Sequence, residues 1–489
     1  EAILLRDAAV GMRKVDSAWN CSPLTPVEPS RMMPSDAGQQ RAAVLPQSSA
    51  APEALNPGSE REGTMIRTVV AFFILMLSVG CGGSAKPNIV LVIIDTLRAD
   101  HLGCFDYQRN TSPSIDSVAA TGIVFTNVHG QSSWTLPAVT TIFTGLNVRE
   151  HGAGRRGNDV YAMSSDLETL PMMLNGRGYS TKGIFNIYLL SEQFGFHRGF
   201  ESFSCRWQGH GLAGLAVDEA IDWISGRDES RPFFLCLHVF DPHDPYDPPQ
   251  PYDEYFTPSG SQGVTWWPAL PDGELDDSEE NLEHVMGLYD GEIAWTDSQL
   301  KRLFDHLRTS GLAENTVVMI VSDHGEEFLE HGGVGHGYTM HREIVHVPLI
   351  LAGPGIPVDT VDHALRCQMD IMPTILEIAS IDVPVHIRGH SLLSDDIPSR
   401  AVPASNVNSL IPDITAAVTM GERKLIWNVE QSTYSMFEIA SDPFELEPLP
   451  ADSDLVDSVH YYWSTPQMSP AVLADREQVE AVMKDLGYF

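Results

Sequence analysis

Four side chains in this sequence could act together on one substrate: Asp95, Thr135, Asp323 and His324. Asp95 ends the run Asn88-Ile89-Val90-Leu91-Val92-Ile93-Ile94, and Asp323-His324 ends the run Thr316-Val317-Val318-Met319-Ile320-Val321-Ser322. Apolar runs of this length without alternation mark strands buried on both faces of a parallel sheet. In open α/β sheets the ligand crevice lies beyond the carboxyl ends of such strands. A lone strand-end Asp is as readily a helix cap or a satisfied buried acid. Two strand ends delivering Asp and Asp-His make a stronger pattern, because carboxylate and imidazole together suit a divalent cation.

Thr135 supplies a hydroxyl. The stretch from Pro137 reads as a helix, with the proline near its first position and Gly145 as terminator. Thr135 then lies at or just before a helix N-terminus, where free N–H groups and the helix dipole favour an anion. A metal beside it would lower the hydroxyl pKa and make it a nucleophile toward phosphorus or sulfur. By spacing alone, a plain N-cap explains this threonine better.

Behind these residues the chain reads as alternating strands and helices. Residues 114–122 predict a short helix, 123–128 a strand, and 167–175 and 212–225 helices packed on a sheet. Residues 232–239 predict a strand ending in the proline-punctuated loop Asp241-Pro242-His243-Asp244-Pro245-Tyr246. Residues 247–281, with Trp266-Trp267, read as a long loop, and 281–310 as a long helix whose apolar stripe is core. After Asp323-His324 comes His331-Gly332-Gly333-Val334-Gly335-His336-Gly337, a loop whose backbone can approach an oxyanion and whose His336 could bind that anion or a second metal. Towards the end, 368–379 reads as a helix, 416–420, 424–427 and 435–439 as short strands, and 474–486 as a last helix.

Composition narrows the partners. With 30 Lys and Arg against 66 Asp and Glu, the formal charge is −36, which argues against nucleic acid. The six cysteines show neither zinc-like nor redox spacing. Residues 1–64 are rich in Pro, Ser and Ala and read as disordered, or as a start placed too far upstream. Residues 65–81 read as a signal peptide: Met65, Arg67, an apolar stretch to Leu77, then Ser78-Val79-Gly80-Cys81. Cys81 after Gly80 resembles a bacterial lipobox, with Ser78 where Leu is usual. The expectation is an exported protein, periplasmic or an outer-membrane lipoprotein, touching the membrane only through a lipid on Cys81.

Residues 87–100, 134–152, 322–337 and Val347-Pro348-Leu349-Ile350 together resemble the sulfatase family, within the alkaline phosphatase superfamily. The resemblance implies an α/β fold: a large mixed, mostly parallel central sheet flanked by helices, with a small C-terminal antiparallel sheet plus helix. It divides the chain into a catalytic domain at 86–400 and a C-terminal subdomain at 401–489. It implies that Asp95, Asp323 and His324 hold a divalent metal (Ca, Zn or Mn) together with Thr135, the nucleophile position. It further implies that Asn186 and His336 hold substrate oxygens and that His243 protonates the leaving group. Asp241 is a candidate ligand of a second metal.

Three departures bear on substrate. Sulfatases carry Cys or Ser, any residue, Pro, any residue and Arg, the first being oxidised to formylglycine; here the stretch is Thr135-Leu136-Pro137-Ala138-Val139. Threonine bears a β-methyl and cannot yield that aldehyde, so no formylglycine is expected. The paired metal acids are here Asp95-Thr96, and Phe185-Asn186-Ile187-Tyr188-Leu189 replaces the family's Gly-Lys-Trp-His-Leu. These features look more like the phosphodiesterase and phosphoethanolamine-transferase branches. The expected activity is metal-dependent cleavage of small or glycan-borne sulfate or phosphate esters through Thr135. Phosphodiesterase, phosphonate hydrolase and phosphoethanolamine-type transferase stand as alternatives, and an inactive lipoprotein that binds anionic glycans as an alternative of another class.

Overall fold

The computed structural model describes residues 86–156, 159–207, 212–257, 278–394, 397–406 and 414–468, with a few positions beyond. The upstream segment 1–64, the leader 65–81 with Cys81, and Trp266-Trp267 lie outside the described residues, as does most of the helix expected at 474–486.

Eight strands form the central sheet: β1 (Asn88–Ile94), β2 (Gly122–Phe125), β3 (Ser180–Phe185), β4 (Ser202–Cys205), β5 (Phe233–Val239), β6 (Thr316–Ser322), β7 (Leu349–Ala352) and β8 (Thr360–Asp362). Their spatial order is β8-β2-β7-β6-β1-β5-β3-β4. β7 runs antiparallel to both neighbours, and every other pairing is parallel. The sheet is therefore mixed and mostly parallel, as expected.

β1 is central, and its seven residues are all buried. Ile89, Leu91 and Ile93 enter one core cluster, while Val90, Val92 and Ile94 enter the other. This is the period-2 alternation of a strand with both faces covered, and it explains the unbroken apolar run. Helix α1 (Thr135–Thr144) packs into the first cluster, and α2 (Ala213–Gly226) and α3 (Glu279–Thr309) into the second.

α1 begins two residues earlier than the proline suggested. A first-turn N–H has no intrahelical partner, so Pro137 fits inside that turn. The helix ends at Gly145, whose φ of 64° is a conformation that glycine adopts without strain.

A second, antiparallel sheet runs through β9 (Val402–Ser405), β10 (Thr415–Met420), β11 (Arg423–Asn428) and β12 (Thr433–Glu438). Helix α4 (Ser453–Ser464) lays Leu455 and Val459 on it, against Val418, Leu425 and Trp427. The antiparallel sheet with a helix is as expected, but the sequence pattern does not mark 453–464 as that helix: only those two of its residues are buried, too few to print a helical stripe on the sequence.

Candidate active site

The sheet register brings the strand-end residues together. Ile94 lies opposite Ser322 on one side and Val239 on the other, so Asp95 and Asp323 leave neighbouring strands at one level. Asp95 N–H donates to the Val239 carbonyl at 2.9 Å. Asp95, Asp323 and His324 are fully buried, and their ligand atoms all lie within 4.8 Å of one another.

His324 aims one nitrogen at this group. Its Nδ1 lies 3.0 Å from the Gly325 carbonyl, which can only accept, so Nδ1 carries the proton. Burial pulls the ring well below the ordinary histidine pKa, which keeps it neutral and leaves a lone pair on Nε2. That Nε2 lies 3.6 Å from Asp95 Oδ1, 3.4 Å from Asp323 Oδ2 and 3.3 Å from Thr135 Oγ1.

Asp323 Oδ1 is satisfied by the backbone N–H groups of His324 at 2.8 Å and Thr96 at 3.2 Å. Both Asp95 oxygens and Asp323 Oδ2 are buried with no hydrogen-bond donor among the described residues. Orphaned buried carboxylate oxygens are costly. Three of them converging with an imidazole lone pair fit a divalent cation. Burial, then the charges of Asp323, Glu326 and Asp244, pushes the Asp95 carboxyl well up, and burial pushes Asp323 up to about 7.

A second group adjoins the first. His243, Asp244 and His336 also place ligand atoms within 4.8 Å of one another. His243 Nδ1 lies 2.7 Å from the Asp244 carbonyl and 3.1 Å from its Oδ1. His336 Nδ1 lies 3.0 Å from Glu326 Oε1, and Glu326 Oε2 accepts from the Tyr246 hydroxyl at 3.1 Å. The His336 ring centroid is 4.8 Å from that of His243 and 4.5 Å from that of His324, so the two groups share a wall.

Thr135, Asp95, Asp323, His324, His243 and His336 are thus brought together. Asn186 follows β3 at the same sheet edge, buried, with no partner for its Oδ1 among the described residues. Asp241 is not in the second group; its Oδ2 accepts from Ala213 N–H at 2.9 Å at the start of α2, and Asp244 stands in the group instead. Arg98 is held by Asp100, Glu330 and the Glu326 carbonyl, a structural role.

Several residues around the site escaped sequence reasoning. His238, in β5, puts Nε2 3.5 Å from Asp95 Oδ2, and neither ring nitrogen has a hydrogen-bond partner among the described residues. Its only signal was one imidazole inside an apolar run. Glu326 stood in the open beside Asp323-His324, but nothing in the spacing showed that it meets His336. Tyr289 in α3, read as core, also donates its hydroxyl to the Thr96 carbonyl at 2.7 Å.

Comparison with known proteins agrees with this fold. The chain is 25% identical over 454 residues to an arylsulfatase of Clostridium perfringens, covering 77% of this chain and 92% of the relative. Among solved structures it superposes with a TM-score of 0.66 and 19% identity on a protein in complex with its substrate D-glucosamine-2-N,6-O-disulfate, covering 82% of this chain and 98% of that one. It superposes with a TM-score of 0.62 and 18% identity on the phosphonate monoester hydrolase of Agrobacterium radiobacter, covering 82% and 96%. The Sulfatase family model matches residues 87–381, a span that holds the central sheet, the helix opened by Thr135 and both strand-end acids. On that match the chain belongs to the sulfatase family, whose members are metal-dependent, and is a sulfatase-like ester hydrolase.

Proposed function

We propose that the protein cleaves phosphate or sulfate esters, phosphorus esters foremost, with Thr135 as nucleophile. The observation that carries this reading is the 3.3 Å approach of Thr135 Oγ1 to His324 Nε2, beside three carboxylate oxygens that lack donors. Thr135 Oγ gives up its proton to solvent water and forms the new bond to phosphorus, the ester P–O bond breaks, and its electron pair leaves on the alcohol oxygen. His243 gives that oxygen a proton. Water then attacks phosphorus, the P–Oγ bond breaks, Oγ takes a proton from that water, and His243 regains its proton from solvent.

Asn186 and His336 hold the nonbridging oxygens; Glu326 engages His336 Nδ1, which turns Nε2 towards the site. The first turn of α1 presents free N–H groups to the same charge. A divalent cation on Asp95, Asp323 and His324 supplies a lowered hydroxyl pKa and offsets charge on the nonbridging oxygens.

The β-methyl of Thr135 favours phosphorus over sulfate, since formylglycine chemistry is closed to it. The phosphonate monoester hydrolase that shares the fold supports this preference, and the structure holding a disulfated glucosamine supports a glycan-borne ester. Export through residues 65–81 with lipid on Cys81 belongs to the same proposal and rests on sequence.

The test is side-by-side turnover of aryl sulfate, phosphate monoester, phosphodiester and phosphonate monoester by protein loaded with zinc, manganese or calcium. Preference for a phosphorus ester is expected. Preference for sulfate overturns the selectivity, and silence on all four with no metal bound favours an inactive glycan-binding protein.

A further inference from the structure

His336 sits on a segment with little regular structure of its own, held from within by Glu327, which accepts from Gly333 N–H at 2.8 Å and from the Thr339 hydroxyl at 3.1 Å. Glu327–Phe328 and Val334–Gly335 form a hairpin of only two residues per strand, and His336 follows directly. Isolated ribbons of that size are not stable in water. Gly335 and Gly337, on either side of His336, have φ of 84° and 89°, so the backbone there is also intrinsically loose.

The C-terminal sheet and the turn that follows it add to this hold. Asn406, after β9, donates Nδ2 to the Tyr338 carbonyl at 3.0 Å. Arg342 Nη1 donates to the Pro443 carbonyl at 3.1 Å. Between these, Glu445 reaches both flanks of the segment: its Oε2 lies 3.0 Å from His341 Nδ1, and its backbone carbonyl 3.2 Å from His331 Nε2. The His331 and His341 rings stack with centroids 3.5 Å apart and planes 9° apart. Residues 331 to 341 thus form a loop closed at its base by two stacked imidazoles and one glutamate, with His336 at its middle.

Glu445 is placed for this at some expense to itself. It is buried, is not glycine, and has φ of 57°. Such backbone strain persists where the surroundings over-determine it. Asp442 carboxylate oxygens accept from the N–H groups of Leu446 and Glu447, fixing the turn. Lys424 of β11, fully buried, donates Nζ to Glu445 Oε1 at 2.6 Å. Burial alone would raise the Glu445 carboxyl, but Lys424 and the His341 bond outweigh it and leave it at about 2.

The neighbouring Glu327, His331 and Glu343 also bring ligand atoms within 4.8 Å, but not as a metal site. His331 Nε2 faces a carbonyl and Nδ1 faces Glu343 Oε1 at 2.6 Å, two acceptors, so the ring is an imidazolium with no lone pair to offer.

We propose that Glu445 is a positioning residue for His336, through which the C-terminal sheet sets the placement of that histidine in the active site. The inference rests on the role given to His336 above. β1, β6 and α1 place Asp95, Asp323 and Thr135 independently of it.

The test pairs Lys424→Met with Glu445→Leu, removing both buried charges so that neither is left uncompensated. Hydrogen exchange followed by mass spectrometry reads the tether without needing activity. Peptides covering 331–341 are expected to exchange at least ~10-fold faster than in the parent, with β1 and α1 peptides unchanged; unchanged exchange in 331–341, or uniform acceleration everywhere, overturns the proposal. Turnover of the best aryl ester reads the consequence. The double substitution is expected to lower kcat about 10-fold in the parent and to have no further effect in a His336→Ala background, the non-additivity of residues acting as one unit. Additive losses in that background mean a general structural role and overturn it. If His336→Ala alone leaves turnover intact, the role of His336 fails, and the exchange result still decides whether Glu445 holds the loop.

Discussion

Thr135 Oγ1 lies 3.3 Å from His324 Nε2, and that same nitrogen faces both Asp95 and Asp323. The hydroxyl is therefore aimed at the cation group, and Thr135 is the first residue of its helix, whose N-cap is Trp134. Thr135→Ala is expected to reduce turnover on the order of 10³-fold or more while Asp95, Asp323 and His324 still bind metal. Initial rates and metal stoichiometry on the same sample check this, and an active alanine variant rules out Thr135 as nucleophile.

Metal and pH are linked through the buried acids. Burial raises Asp323 and Glu326 to about 7, and Asp95 well above the carboxylate range. In chelated protein these groups keep protons that the unfolded chain has already lost. From the ordinary carboxylate range up to about pH 7 the folded state binds more protons, so stability falls as pH rises through that window. A cation favours the ionised forms and opposes the trend. With chelator these acids favour pH 5 over pH 8, while His238, His324 and His336, held by burial below the ordinary histidine pKa, favour pH 8; zinc, manganese or calcium should raise Tm more at pH 8 than at pH 5. Asp323→Asn removes one raised acid, so in chelator its Tm should gain on the parent's between pH 5 and pH 8. Thermal scans at the two pH values decide; a variant that gains nothing on the parent at pH 8 contradicts the assignment.

His238 is expected to orient Asp95. Its Nε2 lies 3.5 Å from Asp95 Oδ2, its ring stacks on Phe185 with centroids 6.2 Å apart, and burial holds its pKa down at about 3. Outer partners of ligating groups commonly contribute 10- to 100-fold to metal affinity. His238→Phe keeps the stacking and removes the nitrogens, so metal affinity should fall about 10- to 100-fold with little change in fold. Isothermal titration of chelated protein measures it, and unchanged affinity makes His238 a packing residue.

β1 and β6 were legible because both faces of each strand are covered, which writes an uninterrupted apolar run ending in the functional acid. The helix that Thr135 opens was legible because Pro137 and Gly145 punctuate it, whereas spacing alone gave the threonine no more than an N-cap and its role came from the family resemblance. His238 was not, since a buried strand histidine looks the same whether it faces packing or Asp95; only the pairing of β5 with β1 distinguishes them. The choice between Asp241 and Asp244 was equally hidden. Both precede a proline, and the Ala213 N–H, distant in sequence, draws Asp241 away. The hold of Glu445 on His331 and His341 spans over a hundred residues and leaves no local pattern.

Cys81 offers a prediction that depends on sequence alone. If residues 65–81 are read as a lipoprotein leader, bacterial cells fed labelled palmitate should incorporate label into the parent and not into Cys81→Ser. Label retained in Cys81→Ser removes the anchor from the proposal.

Tyr289 carries the last prediction, because it holds a strained residue next to the metal acid. Thr96 is β-branched with φ of 52°, a conformation that costs about 1–3 kcal/mol. It is kept there by the Tyr289 hydroxyl, which donates to the Thr96 carbonyl at 2.7 Å and accepts from Arg98 N–H at 2.9 Å. In that conformation the Thr96 N–H reaches Asp323 Oδ1 at 3.2 Å, tying the end of β1 to the end of β6. Tyr289→Phe removes one oxygen and leaves two buried backbone groups without a partner, a loss of about 1–3 kcal/mol for each orphaned group. Urea unfolding should register that loss, and metal titration should show weakened binding as Thr96 relaxes and Asp323 loses a donor. Thr96→Gly adopts the same φ without strain, so in that background Tyr289→Phe should still destabilise the fold but weaken metal binding far less. Equal metal loss in both backgrounds would mean that Tyr289 acts on the site by another route than Thr96.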